Sequence, residues 1–217
     1  MTIYGSTFSP FVKKVVAFAS EKGLSHDLLP TFLDRPGGAP NPDFKAASPL
    51  GKMPAIKDGD YVLADSTAIC LYLDAAYPDK PLIPAEAKAR GVCFWWEEFA
   101  DTVIFPAAGK IFFNRLVSPK FLGIPGNEAV AREGDSELAM RLDQLESHLP
   151  RANVWLVEDR LTLAEISLAS IFGSLLHVGI EPGPERPKLQ ALSDKILARP
   201  AFKAMIDKER SVLERIG

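Results

Sequence analysis

Cysteine is nearly missing from this chain. Only Cys70 and Cys93 are present, too few for a disulfide framework or a metal-ligand cluster. That usage fits a reducing compartment, with both thiols expected as small buried apolar residues. Long apolar runs are missing as well, which excludes a membrane-spanning helix. An excess of either charge is missing too: 25 basic against 28 acidic residues leave a net charge of −3, which argues against a nucleic-acid partner, since a phosphate backbone needs a basic surface. The three histidines, His26, His148 and His177, show no ligand spacing, so no metal site is expected and each reads as structural. The opening Thr2-Ile3-Tyr4 is strand-like and lacks a charged n-region, an apolar h-region and a cleavage site, so the expectation is a cytoplasmic protein. No internal repeat or low-complexity segment occurs. What remains is an ordinary globular balance, 47% apolar and 24% charged over 217 residues, long enough for one large domain or two modest ones.

The stretch that organises the rest is Tyr4-Gly5-Ser6-Thr7-Phe8-Ser9-Pro10-Phe11. It reads as a strand end, a polar turn, and a helix entered at Ser9-Pro10. Serine suits an N-cap, and proline at the first helical position loses no hydrogen bond through its missing N–H. The start of such a helix offers N–H groups and the positive end of a dipole, so an anion is welcome above it and a thiol there loses its proton more readily. Phe11, Val12, Val15, Val16 and Ala19 recur at helical spacing, with Lys13 and Lys14 outside that stripe, and Gly23 stops the helix. Residues 26–31 read as a second strand, completing a right-handed βαβ unit.

A Pro- and Gly-rich loop covers 34–42, with a short helical turn around 44–47. Ser48-Pro49-Leu50-Gly51-Lys52-Met53-Pro54 leads into a hairpin, 55–57 and 61–63 flanking Asp58-Gly59-Asp60. Asp65-Ser66-Thr67 caps a helix carrying Ile69, Leu71, Tyr72, Leu73 and Ala76. Pro78, Pro81 and Pro84 end this α/β pattern, and the remainder of the chain reads as all helical. The division is therefore a domain at 1–78, a linker at 79–86 and a helical domain at 87–217. Helices are expected over 85–117, broken or bent near Pro106, over 128–149, 187–198 and 200–215, and from a capping box at Thr162-Leu163-Ala164-Glu165 into a run over 166–176 that is apolar almost all round. One face of the last helix is traced by Phe202, Met205, Ile206, Leu213 and Ile216.

In this order and spacing, the residues 5–11, Glu21-Lys22-Gly23, Ser48-Pro49-Leu50-Gly51-Lys52-Met53-Pro54-Ala55, Asp65-Ser66 with Ala68-Ile69, Leu161-Thr162-Leu163-Ala164-Glu165 and Arg199-Pro200-Ala201-Phe202 resemble the cytosolic glutathione S-transferases along nearly the whole chain. The pattern is closest to the serine-type phi, tau and theta members. The resemblance implies a thioredoxin-like N-terminal domain (βαβ–ββα), a helical-bundle C-terminal domain and a homodimer. It implies glutathione as cosubstrate, with no metal or organic cofactor, and a hydrophobic electrophile as second substrate.

By the same resemblance Ser9 is the catalytic hydroxyl. A serine is no base near neutral pH, so its part is to donate to the glutathione sulfur and hold it as a thiolate. Ser6, Thr7 and Tyr4 remain competing hydroxyls, and the absence of cysteine in the turn argues against a thiol-reductase member. Met53-Pro54 matches the family's cis-proline, whose backbone pairs with the tripeptide. Asp65 and Ser66 match the pair that holds the γ-glutamyl ammonium and carboxylate, with Asp in place of the commoner Glu. Lys52 suits the glycyl carboxylate. Pro40 and Asn41 stand where many relatives keep Lys or His, which removes one cation from that end. Before the capping box, Glu158-Asp159-Arg160 replaces the usual Gly-Asp, and Glu165 the usual Asp.

The second substrate is expected between the domains, with Phe8, Phe105, Phe112 and Phe113 as candidate walls and Phe94, Trp95, Trp96 and Phe99 as a further aromatic cluster. Glu97, Glu98 and Asp101 are candidates to reach a partner subunit's glutathione or to lie on a solvated face. Two alternatives stay open: a relative that binds glutathione or a protein without turnover, and a glutathione-dependent isomerase, peroxidase, etherase or dehalogenase.

Overall fold

Four short strands, β1 (Thr2–Tyr4), β2 (Asp27–Leu29), β3 (Ala55–Asp58) and β4 (Tyr61–Ala64), form one sheet in the order β2-β1-β3-β4. The computed structural model describes residues 1–31, 41–149 and 155–216. The loop expected over 34–42 falls mostly, and Pro40 wholly, outside them. β1 runs parallel to β2 and antiparallel to β3, which pairs antiparallel with β4. Between β1 and β2 lies α1 (Pro10–Lys22); α2 (Pro42–Ala47) precedes β3, and α3 (Ser66–Ala76) comes after β4. α1 and α3 pack together.

The apolar stripe foreseen on α1 is buried, with Val12, Val15 and Ala19 fully enclosed beside Ile3, Ile56, Ile69 and Leu73. Burial goes further than periodicity indicates. Lys13 and Lys14, which lie outside the stripe, are 0% and 1% exposed. The apolar period identifies the first face to be covered, while later elements decide whether the rest of the helix stays wet. Lys22 is enclosed too, its Nζ donating to Asp74 Oδ1 at 2.8 Å and to the carbonyls of Asp79 and Lys80 at 3.3 and 3.2 Å. Asp74 accepts in turn from the Leu82 and Ile83 N–H groups at 2.9 and 3.3 Å. This network holds residues 79–83 within the first compact unit, Met1–Ile83; the second is Pro84–Gly217.

In the second unit α4 (Ala87–Glu98) runs without a stop through π-helical residues Phe99–Ile104 into α5 (Phe105–Phe112), and on through π-helical residues Phe113–Leu122. Of the break or bend expected near Pro106, no break occurs, and helical structure continues past 117 with Pro119 inside it. Pro106 sits just past the first wider turn and Pro119 within the second, where i→i+5 bonding relieves the demand for an i→i−4 donor. Then come α6 (Glu128–His148), α7 (Leu163–Leu175), α8 (Pro187–Leu197) and α9 (Pro200–Ile216). Every residue of α7 is buried, its apolar side chains together with Glu165, Ser167, Ser170 and Ser174, and it packs against α4, α5, α8 and α9. On α9, Phe202, Met205 and Ile206 are buried as expected, but Ile216 is 45% exposed. The buried position past Ile206 is Glu209, joined to His177 Nε2 at 2.7 Å.

Candidate functional site

The strand register gathers the site. Tyr4 pairs with Ala55, and Ala55 with Ala64. The turn leaving β1, the loop entering β3 and the start of α3 after β4 therefore lie at one end of the sheet. Ser9, Lys52, Met53, Pro54, Asp65 and Ser66 occupy these three segments, all within the first unit. Phe8 belongs to the same unit, whereas Phe105, Phe112 and Phe113 belong to the second.

The first segment is tightly built. Gly5 has φ of +148°, and a Cβ there would stand 2.5 Å from Val12 Cγ2, so only glycine fits beneath the turn. The Ser9 N–H donates to the Ser6 carbonyl at 2.9 Å, and the Ser9 carbonyl accepts the first helical bond from Lys13 at 2.9 Å. Ser9 is thus the N-cap residue, with Pro10 at the first helical position, yet its hydroxyl makes no capping hydrogen bond. It is also the most accessible of the four candidate hydroxyls: Ser9 is half-buried, while Tyr4, Ser6 and Thr7 are 2%, 4% and 8% exposed. The Tyr4 ring packs with Phe44, Ala47 and Ala55, and burial, aided by the nearby Asp43 charge, pushes its phenol above the usual range.

The second segment carries a cis peptide at Met53-Pro54. Met53 is half-buried, and its sulfur accepts from Thr31 Oγ1 at 3.7 Å. Lys52 is exposed at the side chain, while its carbonyl accepts from Ser48 Oγ at 2.6 Å, which fixes the loop. Asn41 accepts from the Asp43 N–H and caps α2.

In the third segment Asp65 caps α3. Its Oδ1 accepts from the Thr67 and Ala68 N–H groups, both at 3.0 Å, from a backbone with φ of 82°. A non-glycine residue rarely adopts this conformation, and it persists only where the surroundings impose it. Ser66 is next at 5% exposure and Thr67 is half-buried; Lys14 Nζ donates to Thr67 Oγ1 at 3.3 Å. Sequence reasoning assigned no role to Lys14, because a lysine off the apolar stripe normally marks a wet face.

The aromatic candidates separate by exposure. Phe8 and Phe112 are 5% and 7% exposed, Phe105 is half-buried, and Phe113 is 47% exposed. Phe112 and Phe113 are consecutive on one helix, so their side chains diverge, one inward and one outward. Trp95, Trp96 and Phe99 form a cluster with ring centroids 4.6–5.7 Å apart, and Trp95 and nearby Val92 are 52% and 45% exposed. Of the acidic candidates, Glu97 is fully buried rather than solvated and Glu98 is exposed. Both cysteines are buried, and burial, the largest effect on it, pushes the Cys93 thiol up. Among the described residues no group of three or more His, Cys, Asp or Glu is placed to hold a metal ion, and no helix is long and apolar enough to cross a membrane.

Comparison with known proteins points the same way. Residues 3–81 match the glutathione S-transferase N-terminal domain and residues 104–200 the glutathione S-transferase C-terminal domain. The chain is 35% identical to glutathione S-transferase 3 of Zea mays over 95% of its own length and 93% of that protein. It is 31% identical to a glutathione S-transferase of Hyoscyamus muticus, covering 95% and 98% of the two chains. Among solved structures, glutathione S-transferase III in its apo form superposes with a TM-score of 0.79 at 33% identity, over 95% of both chains.

Proposed function

The chain belongs to the glutathione S-transferase family, and from that premise we propose that Ser9 holds the glutathione sulfur as a thiolate for attack on an apolar electrophile. The protein is an enzyme, a glutathione transferase. The observation that carries the Ser9 assignment is its hydroxyl: uncommitted to the helix cap, and accessible where Tyr4, Ser6 and Thr7 are buried. Lowering a thiol from about 8.5 to about 6.5 takes roughly 2.7 kcal/mol, at about 1.36 kcal/mol per unit. A hydrogen bond to a charged acceptor supplies about 1.5–3 kcal/mol and the dipole of α1 about 0.3–1 kcal/mol, so no other group is required.

The remaining positions divide the tripeptide among them. Ser66, at the N-terminus of α3, takes the γ-glutamyl carboxylate, where helix N–H groups and the dipole favour an anion. Asp65 already gives Oδ1 to the cap, which leaves Oδ2 for the ammonium. The Met53 backbone, beside Pro54, pairs with the cysteinyl backbone, and Lys52 meets the glycyl carboxylate. Asn41, as the cap of α2, brings no cation to that end. Phe113 and Phe105, the least buried of the four phenylalanines, suit an apolar electrophile better than Phe8 and Phe112, which serve the packing around them. The protein acts in the cytoplasm, and as a homodimer; the exposed Trp95 and Val92 support the homodimer alone.

The test is Ser9→Ala. Bound glutathione should lose its thiolate ultraviolet absorbance, and kcat/KM for conjugation should fall by roughly 2 kcal/mol, about thirtyfold. Retention of both signals would reassign the sulfur to another hydroxyl.

A further inference from the structure

A buried ammonium is expensive, since an unbranched apolar side chain could fill the same space without the desolvation penalty. α1 nevertheless encloses Lys14 at 1% exposure, five residues past Ser9. Its Nζ reaches across to α3 and donates to Thr67 Oγ1 at 3.3 Å, with the Phe11 ring centroid 5.8 Å away. Thr67 is the second residue of α3, and its own N–H is held by Asp65 Oδ1 at 3.0 Å. Its backbone and its side chain are therefore fixed by two different elements. A hydroxyl that accepts from an ammonium must direct its proton elsewhere. A positive charge shielded from water near the start of α3 also adds to the potential of that helix end.

We propose that Lys14 is a positioning residue for glutathione, setting the Thr67 hydroxyl and the potential at the start of α3 for the γ-glutamyl carboxylate. The inference rests on the placement of that carboxylate at Ser66. It links the helix that faces the sulfur to the helix that holds the far end of the tripeptide.

The experiment is calorimetric titration of the full chain with glutathione and with an analogue whose γ-glutamyl carboxylate is replaced by hydrogen, 4-aminobutyryl-cysteinylglycine. The wild type should prefer glutathione. In Lys14→Met that preference should shrink about tenfold, with affinity for the analogue held within about twofold, as loss of one charge-assisted contact predicts. Thr67→Val, which removes the acceptor and keeps the cation, should reproduce the loss, the double variant should add little, and Lys14→Arg should keep most of the preference. A purely structural lysine would weaken both peptides alike, and that result overturns the proposal. So does an undiminished preference in Lys14→Met, or in Thr67→Val where the lysine variant fails to fold. A wild type that binds both peptides equally instead removes the carboxylate from the start of α3, and the role of Lys14 with it.

Discussion

Asp58 shows how one carboxylate at a turn sets the acid–base behaviour of its surroundings. It ends β3 and accepts from the Tyr72 and Tyr77 hydroxyls at 3.0 and 2.6 Å, with the Tyr61 ring tilted against that of Tyr72, centroids 4.7 Å apart. The hydrogen bond to Asp58, then burial, pushes the Tyr77 phenol up to about 12 from 10.0. The folded chain holds this proton more tightly than the unfolded chain. Stability from the contact is therefore complete below pH 10 and is lost as pH rises from there toward about 12. In Asp58→Asn the phenol should titrate closer to 10.0, and the alkaline decline in melting temperature should become shallower, both read by ultraviolet absorbance. Tyr4 is raised chiefly by burial, with the Asp43 charge adding to it, so removing a carboxylate would bring it down only in part.

Among the elements, α1 and α7 solve opposite problems. α7 is apolar almost all round, its three serines donate to its own backbone, and its polar start is buried: Glu165 accepts from the Leu156 and Thr162 N–H groups at 2.6 and 2.9 Å and from Thr162 Oγ1 at 2.6 Å. The Glu165 in place of the usual Asp closes the capping box and also ties down the chain before it. α1 instead encloses cations. Lys22 uses its three donors on Asp74 and two carbonyls, and Asp74 holds Leu82 and Ile83. Lys22→Met should lower stability by about 3–5 kcal/mol in urea unfolding, because it leaves a largely enclosed carboxylate without its cation. Adding Asp74→Asn should recover part of the loss. A loss below about 1 kcal/mol would class the pair with ordinary surface ion pairs.

At the scale of the whole molecule, the first unit collects the proposed glutathione groups and the second exposes the aromatic surface. Trp95 stacks on Phe99 with centroids 5.6 Å apart and is still 52% exposed, a large apolar side chain held rigid but left uncovered. If it anchors the proposed homodimer, Trp95→Glu should shift sedimentation from dimer toward monomer at micromolar concentration. Central interface aromatics typically carry about 2 kcal/mol or more, roughly a thirtyfold weakening. A wild-type chain that sediments as a monomer removes the homodimer.

Much of this protein was determined by local sequence alone. Gly5, Ser9-Pro10 and Gly23 fix where α1 begins and ends, Asp58-Gly59-Asp60 fixes the hairpin, and Thr162 with Glu165 fixes the start of α7, because caps and turns are made by neighbours within a few residues. The candidate site was legible for the same reason, as each of its groups sits at a strand end or a helix start. Only the tertiary structure decided which side chains lose water. It enclosed Lys13, Lys14 and Glu97, exposed Phe113 and Ile216, carried the helix past Pro106, and separated Ser9 from Ser6 and Thr7 by exposure. Burial is set by segments far away in the chain, and a period of 3.6 residues records one covered face but not how many further elements will pack around it.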